Sequence, residues 1–191
     1  MKRPNIVLFC FPFVMFLATL FLQGCATSHG TVPSTPPIPL REVNLEAVVE
    51  ENEGLEVREE DAKELRDFYR GGVQLKAKGE KYYGEKSYPL AIRMFEASND
   101  FFFTILQYIE EDSADYPLFE GTKILFFPNL LSADNNFKLG LIYQNLGTNP
   151  AAIRCWKRAD SFIKKSLNSE LTEWGLALQQ EILARLSAPK N

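Results

Sequence analysis

The sequence predicts an all-α protein, built of stacked antiparallel helix hairpins, closed by a C-terminal capping helix and preceded by a disordered N-terminal tether. Three observations predict it. Beyond Gly71 apolar residues recur at helical spacing, with few β-branched runs. One pattern of glycine, tyrosine, alanine and an aromatic residue occurs twice. Near the C-terminus Leu171, Trp174, Leu178, Ile182 and Leu186 follow one another at steps of three and four, the stripe of an amphipathic helix over about 169–187.

Taken in order, the chain opens with Lys2 and Arg3 and then runs from Ile6 to Leu22, 17 residues, without a charge. A cationic start and an apolar run have the layout of a secretory signal peptide. With Pro12 in its middle the run is marginal for a spanning helix, which needs about 20 apolar residues. The run stops at Leu22-Gln23-Gly24-Cys25, which resembles the lipobox of bacterial lipoproteins. The resemblance implies cleavage after residue 24 and lipidation of Cys25, whose anchor holds the chain on its membrane. Ala26 and Thr27 follow, where inner-membrane retention in that class uses Asp. The resemblance thus implies an outer-membrane lipoprotein whose domain faces the periplasm. A signal peptide or uncleaved anchor with an incidental cysteine is the competing reading.

Residues 25–40 read CATSHGTVPSTPPIPL, a Pro/Ser/Thr-rich composition suited to an extended tether. His29, the single histidine, lies in it with no second group held nearby, and reads as a solvated bystander. Residues 41–191 form the helical domain. Its first part carries Glu59, Glu60, Asp61, Lys63, Glu64, Arg66 and Asp67 around Leu65, Phe68 and Tyr69, an amphipathic helix with a charged outer face.

The repeat carries the fold assignment. In GEKYYGEKSYPLAIRMFEAS, Gly79, Tyr82, Ala91 and Phe95 stand at intervals of 3, 9 and 4; in GLIYQNLGTNPAAIRCWKRA, Gly140, Tyr143, Ala152 and Trp156 repeat them. Four such matches arise by chance in roughly one window in ten thousand, so two in one chain mark a repeated unit. Small residues let two antiparallel helices approach closely, and the aromatic residues fill the wedge between them. One hairpin cannot bury its own apolar face, so neighbours must stack. Both segments resemble the tetratricopeptide repeat. The second also matches at Leu139, Gly147 and Ala159, whereas the first has Lys78 and Ser98 where the family has apolar and small residues. Gly84 and Gly147 are placed to end helices, and Ser87 and Asn149-Pro150 to start them.

The units lie 61 residues apart, against a family period of about 34. The hairpins are expected near 72–111 and 133–166, separated by an insertion at 112–132 that is rich in large apolar residues. Phe101, Phe102 and Phe103 point in three directions from one helix, so that helix must be covered on more than one side. Packing of the insertion across Phe101 to Tyr108 as core is the expectation. An aromatic pocket around Phe101–Phe127, for a lipid or another small ligand, is the alternative.

Several functions lose their chemistry. The charge is −4, and loss of Lys2 and Arg3 leaves 19 cations against 25 anions, a formal −6. Nucleic-acid binding needs clustered cations and is not expected. With no histidine past residue 29 there is no triad, and no phosphate or dinucleotide loop is present. No cofactor and no metal site is expected, and the protein is not read as an enzyme. Cys155 reads as a small core residue, and the acidic group Glu110, Glu111, Asp112 and Asp115 as helix-end acids. The remaining function is partner binding. The tetratricopeptide resemblance implies a concave surface lined by the first helix of each unit, at Val73, Lys76, Glu80 and Tyr83, then Asp134, Phe137, Leu141 and Gln144. The expected occupant is a partner protein of a cell-envelope assembly or secretion machine; a small ligand serving a transporter is the other possibility. The anchor has a direct test. Cys25→Ser should abolish metabolic labelling with a fatty acid, and undiminished labelling would remove the lipoprotein reading.

Overall fold

The computed structural model describes residues 59–111 and 123–188. The signal peptide, Cys25, the tether, Asp112, Asp115 and residues 112–122 of the expected insertion lie outside the described residues. Within them the fold is all-α: α1 (Glu59–Gly84), α2 (Tyr88–Glu111), α3 (Lys123–Asn145), α4 (Asn149–Ser169) and α5 (Glu173–Ser187). Each helix packs on the next, and α5 also touches α3. These are two stacked antiparallel hairpins and a closing helix.

The internal repeat is visible in the backbone. At the first turn Glu85, Lys86 and Ser87 donate their N–H groups to the carbonyls of Lys81, Tyr83 and Tyr82. At the second, Leu146, Gly147 and Thr148 donate to Ile142, Gln144 and Tyr143. Every donor and acceptor is displaced by 61 residues. The left-handed residue of the turn is Gly147 (φ 72°) in one copy and Lys86 (φ 58°) in the other. Gly84, expected to terminate α1, is the last helical residue but does not make the turn. Thr148, not Asn149, is the cap residue of α4, and Pro150 falls in its first turn. The match also extends beyond the four diagnostic positions, to Pro89 and Pro150 and to Ile92-Arg93 and Ile153-Arg154.

Glycine fixes the crossing distance within each hairpin. A Cβ on Gly79 would stand 2.7 Å from the Phe95 ring, and one on Gly140 would collide with the Trp156 indole. Trp156 Nε1 then reaches the Phe137 carbonyl, at 3.3 Å. Ala91 and Ala152 are buried beside these rings. The first hairpin adds a second seat two turns away, where a Cβ on Gly72 would be 2.6 Å from Phe102. The equivalent places in the second hairpin hold Ala133 and Ile163, both buried.

Two boundaries differ from the sequence expectation. α1 begins at Glu59, so the charged amphipathic segment and the first repeat helix are one rod. Ala62, Leu65 and Tyr69 bury the same stripe that Gly72, Lys76 and Gly79 continue. α3 begins at Lys123, so the latter half of the expected insertion is helix rather than an added loop. Pro128 misleads here. As the sixth residue of α3 it cannot donate to the Ile124 carbonyl, yet side chains satisfy the neighbouring acceptors. Asn129 Nδ2 donates to Leu125 O at 2.8 Å and Ser166 Oγ to Phe126 O at 3.1 Å. Every residue from Phe126 to Phe137 is buried, so α3 is the central helix. Phe126, Phe127, Leu130 and Leu131 join Phe102, Ile105 and Ile109 in one core, with Leu178 and Ile182 of α5. Leu171 precedes α5 and is exposed, outside the stripe assigned to it.

A non-glycine residue held in the left-handed region costs about 1 kcal/mol. Lys86→Gly should therefore raise the unfolding free energy by about that amount, measured by urea denaturation, and an unchanged or lowered value would mean that the turn carries no strain.

Candidate functional site

The face shared by α1 and α3 is built around a buried lysine. Lys76 occupies a core position of α1 and is wholly inaccessible to solvent. Taking an ammonium out of water costs several kcal/mol unless partners replace the lost hydration. Four do so. Lys76 Nζ bonds to Asp134, approaches Glu80 at 2.9 Å, donates to Asn135 Oδ1 at 3.2 Å and lies 5.8 Å above the centre of the Phe95 ring. Lys138 closes the ring, with Nζ 2.8 Å from Asp134 Oδ2 and 2.9 Å from Glu80 Oε1. Two cations and two anions thus alternate around a closed circuit. The pairs 76/134 and 80/138 share an offset of 58 residues at successive turns. Such a constant offset means that α1 and α3 lie side by side and run in the same direction.

The circuit extends into α2. Asn135 Nδ2 donates to Ser98 Oγ at 3.0 Å and to Asn99 Oδ1 at 3.1 Å, while Ser98 Oγ donates to the Gly72 carbonyl at 2.8 Å. Ser98 departs from the small alanine of the repeat pattern because its hydroxyl joins the two hairpins. Lys78 departs for another reason: it is exposed, whereas Leu139, its counterpart, is buried against Ala91 and Phe95 of the first hairpin.

Burial works against charge on both carboxylates, but Lys76 and Lys138 outweigh it and hold Asp134 and Glu80 below the ordinary carboxylate range. Burial likewise disfavours the Lys138 ammonium, yet Asp134 and Glu80 push its pKa above the usual lysine value. Asp134, Glu80 and Lys138 therefore stay ionised across the neutral range.

The eight residues assigned to a concave surface divide into three groups. Lys76, Asp134 and Phe137 are buried, so an open surface formed by all eight does not exist. Lys76 and Asp134 are consumed by the ring, and Phe137 by the core and, through its carbonyl, by Trp156. Val73 and Leu141 are half-buried against the same core. Glu80, Tyr83 and Gln144 remain accessible, toward the turn end. Sequence reasoning missed Lys138 and Arg185, which join them there. Arg185 Nη1 donates to Gln144 Oε1 at 3.4 Å. The Tyr83 and Tyr88 rings meet at a tilt with centres 6.4 Å apart, and Asn145 Nδ2 donates to Tyr88 Oη at 3.3 Å. Burial, with Tyr88 beside it, raises the Tyr83 phenol pKa, although Lys138 and Arg185 lie close enough to oppose the shift. No periodic signal in α5 marks Arg185 as a neighbour of α1; only the packing of α5 beside α3 brings it there.

Aromatic residues assigned to a ligand pocket are distributed differently. Phe102, Phe126 and Phe127 fill the core. Phe101 lines only an open cleft of about 410 Å³ with Lys63, Glu64, Asp67 and Phe68. Phe103 is exposed on the opposite side of α2. Cys155 is buried, and burial pushes its thiol up. Among the described residues, no cluster of three or more His, Cys, Asp or Glu has metal-ligand geometry, and no helix is long and apolar enough to cross a membrane.

No protein-family model, curated protein or solved structure matches this chain. The geometry of the α1–α3 face therefore carries the functional argument.

The ring's contribution to stability has a definite sign with pH. Carboxylates with depressed folded pKa values stabilise fully above their unfolded pKa, about 4, and progressively less as pH falls below it. Asp134→Asn should lower the unfolding free energy by about 3 kcal/mol or more near neutral pH, because it leaves Lys76 buried beside a neutral partner. It should also flatten the acid limb of stability against pH. Chemical denaturation at neutral and acid pH measures both, and parental stability in the variant would mean that the ring contributes nothing.

Proposed function

We propose that the chain is a lipid-anchored scaffold, facing the periplasm from the outer membrane, that binds a partner protein of a cell-envelope assembly or secretion machine. The observation that carries the reading is the repeated hairpin. Two units with the same turn, 61 residues apart, are clamped so that α1 and α3 form one side-by-side face. Stacked helical hairpins of this kind suit extended protein surfaces rather than enclosed reaction centres. Cys25 supplies the anchor in this reading, and the tetratricopeptide resemblance the mode of binding. The contact surface is the accessible turn end, with Glu80, Tyr83, Lys138, Gln144 and Arg185 around the half-buried Leu141. An aromatic side chain beside a guanidinium is a common combination at binding hot spots. The reading assigns no catalytic residue, cofactor or metal.

A small-ligand role is less well supported, because Phe102, Phe126 and Phe127 are spent on the core. The experiment is crosslinking in intact cells with a photo-reactive residue at Tyr83 or at Gln144. One dominant envelope protein captured from both positions is expected. Capture of no protein from either position, with the domain folded, would overturn the scaffold reading.

A further inference from the structure

One helix reverses the charge of the rest of the chain. The protein carries 25 acidic residues against 21 basic ones, yet α4 holds Arg154, Lys157, Arg158, Lys164 and Lys165 against Asp160 alone. The five cations, with Ser161 between them, recur at steps of three, four and seven, which puts them on one side of the helix. All five are exposed. The opposite side, Ala151, Ala152, Cys155, Trp156, Ala159, Ile163 and Ser166, is buried, so the row is fixed to the core along its length. At about 1.5 Å per residue the row is roughly 16 Å long. Lys164 pairs with Asp160 at 2.7 Å; among the described residues, Arg154, Lys157, Arg158 and Lys165 have no ion-pair partner.

We propose that this outer face of α4 docks on anionic lipid headgroups of the membrane that holds the chain. The choice of occupant follows from what the face lacks. Specific protein interfaces are centred on apolar or aromatic anchors. Between Arg154 and Lys165 no apolar residue is exposed. A row of exposed cations along one helix face matches diffuse negative charge, which a bilayer of anionic lipids supplies in a plane. Leu171, 75% exposed just beyond the end of α4, adds one apolar side chain suited to the headgroup boundary. Each lysine or arginine near such a surface strengthens binding by about fivefold. That attraction is modest alone but sufficient for a domain already tethered beside the membrane.

The presence of the membrane rests on the lipid-anchor reading; the basic surface does not. The test separates them by using the chain from Ala26 onward, which carries neither the apolar run nor the lipid. Its cosedimentation is measured with vesicles of phosphatidylcholine alone and with vesicles containing phosphatidylglycerol, at low and high salt. A preference of at least about tenfold for the anionic vesicles is expected, weakened by salt. It should vanish in Lys157→Glu/Arg158→Glu/Lys165→Glu, whose substitutions are all exposed and whose circular dichroism should match the parent. Equal binding to both vesicle types would overturn the proposal. So would a preference that survives the charge reversals, since it would lie elsewhere on the chain. Tighter binding to polyglutamate or to an oligonucleotide than to the anionic vesicles would overturn it too, in favour of an acidic polymer. Failure here leaves the fatty-acid labelling of Cys25 unaffected, so the two readings fail separately.

Discussion

A single buried ammonium sets the relation between the two hairpins. Lys76 lies where the core stripe of α1 would otherwise hold an apolar residue, and its charge is tolerable only if α3 presents Asp134 and Asn135 at the right turn. Apolar contacts alone would permit helices to slide by a turn with modest loss. A four-charge ring does not, because any slip leaves an ammonium or a carboxylate buried without its counterion. The hydrogen bonds through Asn135 and Ser98 to the Gly72 carbonyl carry the same constraint across α2. Three helices are thus held in one register by a polar network inside an otherwise apolar stack.

The same network determines which surface remains for a partner. A helical-repeat scaffold would present its first helices to solvent, but here the middle of that face is occupied by the ring and by Phe137. Accessible side chains persist only toward the turns, where Tyr83, Gln144 and Arg185 gather. Arg185 comes from α5, so the closing helix does more than cover the end of the core. The outer face of α4 presents a row of exposed cations. The domain thus carries a mixed polar–aromatic edge at the turns and a basic row on α4.

Departures from the repeat pattern proved informative. Ser98, in place of alanine, belongs to one hydrogen-bonded system with Asn135 and Lys76. Lys86 occupies the backbone position that Gly147 fills in the second copy, with the same three hydrogen bonds around it. The turn geometry is therefore set by the helices it joins, and glycine only makes it easier. The long period between the units also has a physical origin. α2 is 24 residues and α3 23, so each hairpin is longer than the family unit, and the segment around Pro128 is helix.

Local sequence determined the helical class, the paired hairpins and the Gly79–Phe95 and Gly140–Trp156 seats, since each depends on spacing within a short window and on the volume of a few side chains. The closing helix was legible for the same reason. The early start of α3 was not, because Pro128 is a helix breaker by local rules, whereas in the fold Asn129 and the distant Ser166 add bonds to the Leu125 and Phe126 carbonyls beside it. The tetratricopeptide resemblance assigned Lys76, Glu80 and Asp134 to one open surface but could not say that they close on one another. A lysine at such a position is ordinarily solvent-exposed; whether it is buried depends on Asp134, 58 residues away. Charge pairing across helices has no sequence period, so the tertiary structure alone decided which of the predicted surface residues became core.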